Sequence, residues 1–202
     1  MNANLTDADM SGAIATHTDF TDCILRGAKL ARANLSNARL AGANLENADL
    51  SATNLRGAEL DGAILTGAKM ELTDLHGASM KNILTDKLAG KPMTDLAVPL
   101  DELVKQHLQW VETGGSAGKP ADLSDFDLRR APSLTRANLT ALKAERATFY
   151  GLGLEGAMLQ GAKLQGADLR TCRLSGADLR GAQLQGAMLN HADLREIGRA
   201  HV

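Results

Sequence analysis

The side chains of this chain that could catalyse or hold a metal are five histidines, two cysteines and twenty-four carboxylates. A zinc or metalloprotease site needs ligands at short fixed spacings, such as HExxH or CxxC followed by a histidine pair. His17, His76, His107, His191 and His201 stand in no such spacing. Cys23 and Cys172 make no disulfide framework, and a mutual bridge is not expected between two such distant positions. The serines are scattered over what read as turn positions, so no Ser–His–Asp constellation can be drawn. Glycine is abundant, but GxGxxG and GxxxxGK[ST] are absent. These residues assign no catalytic, cofactor-binding or metal-binding role, and the chain reads as a non-enzyme without cofactors.

The elements that must position these side chains follow from a strict internal period. Leu, Met or Phe stands at residue 5 and then at almost every multiple of five to Met80, with Ala15 as the exception. Two residues before each stands a small residue, as in Ala8, Cys23, Ala28, Ala33 and Ala78. That gives sixteen pentapeptides over 3–82. The pattern restarts at Ala121-Asp122-Leu123, takes one inserted residue near Ala131-Pro132-Ser133-Leu134, and holds from Leu139 to Leu194. A period of five matches neither the 3.6 of a helix nor the 2 of a strand. It suits a chain that turns a corner every five residues, so that four corners close a coil of about 20 residues and coils stack at about 4.8 Å. Leucine then fills the interior, and aromatics, only 2% of the chain, are not needed for it.

Two further patterns agree. The slot two after each central residue is often Gly, as in Gly12, Gly27, Gly57 and Gly166, or Asn, as in Asn37, Asn47 and Asn82. A type II turn needs φ > 0 there. At a spacing of twenty, Asp9, Lys29, Asp49 and Lys69 form one column of alternating sign, and Asp19, Arg39 and Glu59 form another.

Ala33-Asn34-Leu35-Ser36-Asn37 and Ala177-Asp178-Leu179-Arg180-Gly181 match A(D/N)LXX as written. The chain thus resembles the pentapeptide-repeat family. The resemblance implies an all-β fold, a right-handed quadrilateral parallel β-helix, here in two blocks interrupted by one α-helix. The expected domains are a first block at 3–82, a helical insert and linker at 83–120, and a second block at 121–196.

Within the insert, Pro99-Leu100-Asp101-Glu102 reads as a helix start and Gly114-Gly115 as its end, giving a helix over about 99–113. Leu100, Leu103, Val104, His107, Leu108 and Val111 make one apolar face, with Trp110 at its edge. The expected role is a cap over an exposed solenoid surface, at the end of the first block. The stretch also resembles a Leu-x-x-His-x-x-Trp segment that precedes repeats in bacterial pentapeptide proteins; no activity comes with it. His107 reads as a hydrogen-bonded packing residue, and both cysteines as inert fillers of the small inward slot.

Charge and outer residues bound the function. Residues 3–82 carry ten acids against seven bases, net −3, and residues 121–196 nine against ten, net +1. This is not the balance of a nucleic-acid binder. Some members of the resembled family, the quinolone-resistance and gyrase-protecting proteins, are held to mimic duplex DNA, which requires sustained negative potential. Here the signs interleave. The expected function is a non-catalytic protein–protein interaction or scaffold module, with the gyrase-binding DNA mimic as the alternative. A polysaccharide-cleaving enzyme would need clustered acids and bases that the repeats do not supply. The candidate interaction surface is Ile24, Ile64, His107, Trp110, Tyr150 and Met158, with Ile24 and Ile64 on one face about Asn44 and Tyr150 near Arg170 one coil on. The expected partners are a protein, or a second copy joined end to end, with no direct nucleic acid and no membrane. The absence of a signal-like start or a long apolar run reads as a cytoplasmic setting.

Overall fold

The computed structural model describes residues 3–197. Two compact units divide the chain at Lys87 and Leu88.

In the first unit the backbone climbs as a parallel ladder. Asn4 pairs with Ile24, Ile24 with Asn44, Asn44 with Ile64 and Ile64 with Leu84, and three further columns repeat the same step of twenty. Each rung is a backbone pair such as Leu45 N–H to the Ile64 carbonyl at 2.8 Å and Asn44 N–H to the Cys23 carbonyl at 2.9 Å. Between rungs the chain turns, as where Ala48 N–H donates to the Leu45 carbonyl at 3.0 Å. The result is a β-helix whose rungs fix the height of every side chain.

The turns need a left-handed residue every fifth position. Gly57 meets this at φ 66°, and a Cβ there would collide with the Asn37 amide of the coil below. Other residues are forced into the same slot: Arg32 at φ 60°, Ala52 at 56° and Leu72 at 59°. Left-handed backbone costs an L-residue about 1–2 kcal/mol. The ladder bonds on both sides outweigh it, so the turn is set by the stack and not by glycine alone.

The core of the first unit is a column of leucines with alanines beside them. Leu25, Leu30, Leu35, Leu40, Leu45, Leu50, Leu55 and Leu60 are all buried. The small slot also admits Thr53, whose hydroxyl is satisfied by the Leu30 carbonyl at 2.7 Å. Ile64, expected on an open outer face, is instead 0% exposed, and Leu84 next to it on the ladder is buried too.

In the second unit the ladder runs from Asp122–Lys143 to Arg173–Asp193. Its first steps are 21 residues, Asp122 to Lys143 and Asp127 to Thr148, and later ones 20. The inserted residue is absorbed where the chain passes Pro132 and Ser133; the ladder resumes as Leu134 N–H donates to the Gly153 carbonyl at 2.8 Å. Before this ladder lie strand β1 (Lys91–Pro92), a 3₁₀ turn (Met93–Asp95) and helix α1 (Leu100–Glu112). β1 pairs in parallel with strand β2 (Phe126–Asp127).

α1 begins after Pro99, with Asp101 and Glu102 in its first turn. Its buried Leu100 and half-buried Leu103 and Val104 pack on the core that runs from Ala121 to Ala177. The helix expected to cover an apolar solenoid surface does so within the second unit, where α1 folds onto the coil that follows it. A short connection makes that contact cheap in chain entropy. The connection turns tightly, with Gly115 N–H on the Trp110 carbonyl at 2.8 Å and Lys119 N–H on the Gln106 carbonyl at 3.1 Å. Gly118, at φ 74°, lies so close to α1 that a Cβ would strike the Gln106 carbonyl. No helix among the described residues is long and apolar enough to cross a membrane.

Candidate interaction surface

Side chains just before and just after each inward leucine form columns at the coil spacing. On the first unit Lys29 lies 3.7 Å from Asp9, and Arg39 lies 3.0 Å from Asp19 and 3.8 Å from Glu59. These groups are more than half exposed, so each pair contributes little stability. Local bonds hold the carboxylates in place. Asp9 accepts the Ser11 hydroxyl at 2.7 Å, which foremost holds its carboxyl below the usual range.

The second unit has a motif that sequence reasoning missed. Asp127 and Arg129, Asp168 and Arg170, Asp178 and Arg180, and Asp193 and Arg195 pair within one pentapeptide. In each, the arginine donates side-chain nitrogens to the carboxylate two residues back and its own N–H as well. Arg195 accordingly lowers the Asp193 carboxyl to about 2. Asp178 is likewise lowered, first by Arg180. The signal was the recurring Asp-Leu-Arg: residues two apart across an inward leucine share an outer face.

Two of these pairs are not surface features. Asp168 is 5% and Arg170 1% exposed, and Asp127 is buried as well. Arg170, expected near Tyr150 one coil on, is thus a buried group and not part of an open face. The 88–92 segment reaches the Asp127 end of this unit: Ala89 N–H donates to Asp127 at 3.1 Å and Lys91 N–H to the Asp125 carbonyl at 2.7 Å. Lys91 also stands 5.5 Å over the Phe126 ring.

The six candidate residues separate by exposure. Met158 is 37% exposed and pairs on the ladder with Asn138 and Asp178. Ile24 and Tyr150 are half-buried, with Ile24 on the Asn44–Ile64 column. Ile64 and His107 are fully buried and present no free surface. An outward position in the repeat stays open only if no other segment packs over it. Trp110 is half-buried and stacks on His107, ring centres 5.7 Å apart at 19°. The most exposed large apolar side chains include Ile14 and Leu72, at 82% and 90%.

No group of three or more metal-ligating side chains gathers among the described residues. His201 lies outside them. Cys172 is buried, its thiol donating to the Phe149 carbonyl at 3.0 Å, and desolvation pushes its pKa up to about 12. It is a filler with no thiolate near neutral pH. Cys23 is buried in the corresponding slot of the first unit.

The family model for pentapeptide repeats matches eight copies over residues 3–42, 43–82, 133–170 and 157–195. No protein among the curated ones matches. Among solved structures, the chain is 33% identical to HetL, a pentapeptide repeat protein involved in heterocyst differentiation regulation from the cyanobacterium Nostoc sp. PCC 7120. That match covers 97% of this chain and 84% of HetL, at a TM-score of 0.40. It is 30% identical to alr5209, a pentapeptide repeat protein from Nostoc PCC 7120, over 43% of this chain and 77% of that one, at a TM-score of 0.39. It is 32% identical to AT2G44920, a pentapeptide repeat protein from the Arabidopsis thaliana thylakoid lumen, over 51% and 73%, at a TM-score of 0.38. With sixteen repeats legible in the first block alone and the matched copies spanning most of the chain, this protein belongs to the pentapeptide-repeat family.

Proposed function

We propose that the chain is a non-catalytic protein-binding scaffold, built as a right-handed, four-sided β-helix in two blocks, 3–82 and 121–196, with the insert 83–120 between them. The observation that carries this reading is the fixed height of the outer columns. Every outward side chain is tied to a backbone rung, so the columns present preorganised charge and apolar contacts at little entropic cost on binding. The interaction surface of this reading is Ile24, Tyr150 and Met158 with the flanking charge columns. Trp110 joins it through its exposed part. A cytoplasmic setting belongs to the same reading.

Capture from a lysate of the native host tests it. The wild-type chain should retain a defined protein, and a variant with Lys29→Glu and Arg39→Glu, or with Met158→Asp, should lose it. Retention of nothing beyond an unrelated solenoid control would end the reading. A second copy is one partner it allows, since Leu5, Met10 and Ala15 of the outermost described coil are less buried than the leucines above. Light scattering at high concentration should then exceed the monomer mass of 21.3 kDa. The gyrase-binding alternative is disfavoured by the four Asp-Leu-Arg pairs, which cancel negative charge where a DNA mimic would display it. Unaltered supercoiling at large molar excess of the chain would remove it.

A further inference from the structure

Helix α1 is tied to the first coil of the second unit by a bond that only a neutral histidine can make. The His107 side chain is 0% exposed. Its Nδ1 accepts the backbone N–H of Ala121 at 3.0 Å. The ring proton must therefore sit on Nε2, which is buried and makes no hydrogen bond of good geometry, the Thr140 backbone being the polar group that approaches the ring. Trp110, one turn on, stacks on the ring. Leu100, Leu103 and Val104 of the same helix lie on the core beside it.

Charged groups near this contact are engaged elsewhere. On α1, Glu102 takes the Gln106 amide at 2.9 Å, and Asp101, Lys105 and Glu112 are on or toward the solvent side. On the coil, Asp122 accepts Ser124 N–H at 3.0 Å and stands opposite Lys143 on the ladder. In the connection, Lys119 is exposed. Burial is the first influence on the imidazole and disfavours its charged form, while the Thr140 backbone offers the opposing one.

An added proton would go on Nδ1 and point at the Ala121 N–H, donor against donor in a place closed to water. We propose that His107 is an acid-sensitive latch: protonation releases α1 from the coil edge and uncovers the Ala121 amide and the apolar edge beneath Leu100, Leu103 and Val104.

The direction follows from linkage. The docked form binds the proton less tightly than the released form. Docking is thus complete above the ordinary histidine value of about 6.5 and weakens by up to about tenfold per pH unit below it, until the docked form protonates too.

Trp110 is the only tryptophan of the chain and reports directly. With the full chain taken from pH 7.5 to about 5, we expect a red shift of its emission maximum and loss of hydrogen-exchange protection at Ala121. The coil signal in circular dichroism should persist. His107→Asn places a non-titrating acceptor at the Nδ1 position and should stay docked across the range; His107→Ala gives the released signal at every pH. An unchanged emission maximum and intact Ala121 protection in the wild type down to pH 4.5 would overturn the proposal. So would a shift shared by wild type and His107→Asn. If His107→Asn is undocked at pH 7.5, the ring resonances of wild-type His107 decide. Their titration must coincide with the loss of Ala121 protection, and a ring that stays neutral through that loss sinks the latch.

Discussion

Leu45 and Leu72 are the same residue in the same unit, and the ladder assigns them opposite fates. Leu45 is 0% exposed, one coil from Leu25 below and Leu65 above, which are themselves buried. Leu72 is 90% exposed in a turn slot. Truncating Leu45 to alanine removes about three carbons from the interior, worth about 2.4 kcal/mol at ~0.8 kcal/mol each. The gap then left cannot close easily. The backbone on either side is held by the bonds from Leu45 N–H to Ile64 and from Asn44 N–H to Cys23, at 2.8 and 2.9 Å. The unrelieved cavity should bring the total to about 3–5 kcal/mol. Leu72→Ala should stay within about 0.5 kcal/mol. Urea unfolding followed by circular dichroism measures both. Hydrogen exchange on peptides spanning Leu25 and Leu65 then shows whether the loss is local, as a nearest-neighbour stack requires. A cost below about 1 kcal/mol for Leu45→Ala, or equal costs for the two, would refute the inward assignment from which every outer column is counted.

Other expectations can be checked by the same unfolding assay. Leu72→Gly should stabilise by up to about 1 kcal/mol, because relief of left-handed strain exceeds the added chain entropy of glycine; destabilisation would mean that the φ of 59° is not what the turn imposes. Asp168→Asn should cost about 3–5 kcal/mol by leaving Arg170 buried without its anion, whereas Arg39→Ala in the exposed column should cost less than about 1 kcal/mol. Comparable losses from the two would show that burial does not separate them. Cys172, with its pKa pushed up to about 12, should resist a thiol reagent at pH 8 in the native chain and react once unfolded. Rapid labelling of the native thiol would place it outside the core.

On the proposed scaffold reading, the charge columns serve recognition more than stability. Their members are spaced by rungs and paired loosely, so they can exchange internal partners for external ones at small cost. The Asp-Leu-Arg pairs of the second unit are shorter and locally closed, and those carboxylates are less available to a cationic partner. A partner that reads charge should therefore favour the first unit, and the Lys29 and Arg39 reversals should weaken it more than Arg180→Glu.

The period of five carried most of the architecture. Leu25, Leu45 and Leu65 could be placed in one dry column, and Asp9, Lys29 and Asp49 in one outer column, because a coil of twenty residues makes neighbours of positions twenty apart. The left-handed slot was legible where glycine or asparagine marked it, as at Gly57 and Asn37. It was not legible at Arg32 or Leu72, where the stack overrides local preference. α1 was legible from its apolar spacing and end signals, but not the surface it covers.

A repeat states for each residue whether it faces the interior of its own coil, because that depends only on neighbours within the period. It cannot state whether an outward residue meets solvent, because that depends on how the neighbouring coils and the segments outside the repeat pack against it. Tertiary packing alone decided that Ile64 and Arg170 are covered, and that His107 accepts the amide of Ala121. Local periodicity sets direction; only the folded chain sets exposure, and with it which outer groups can bind, titrate or pair.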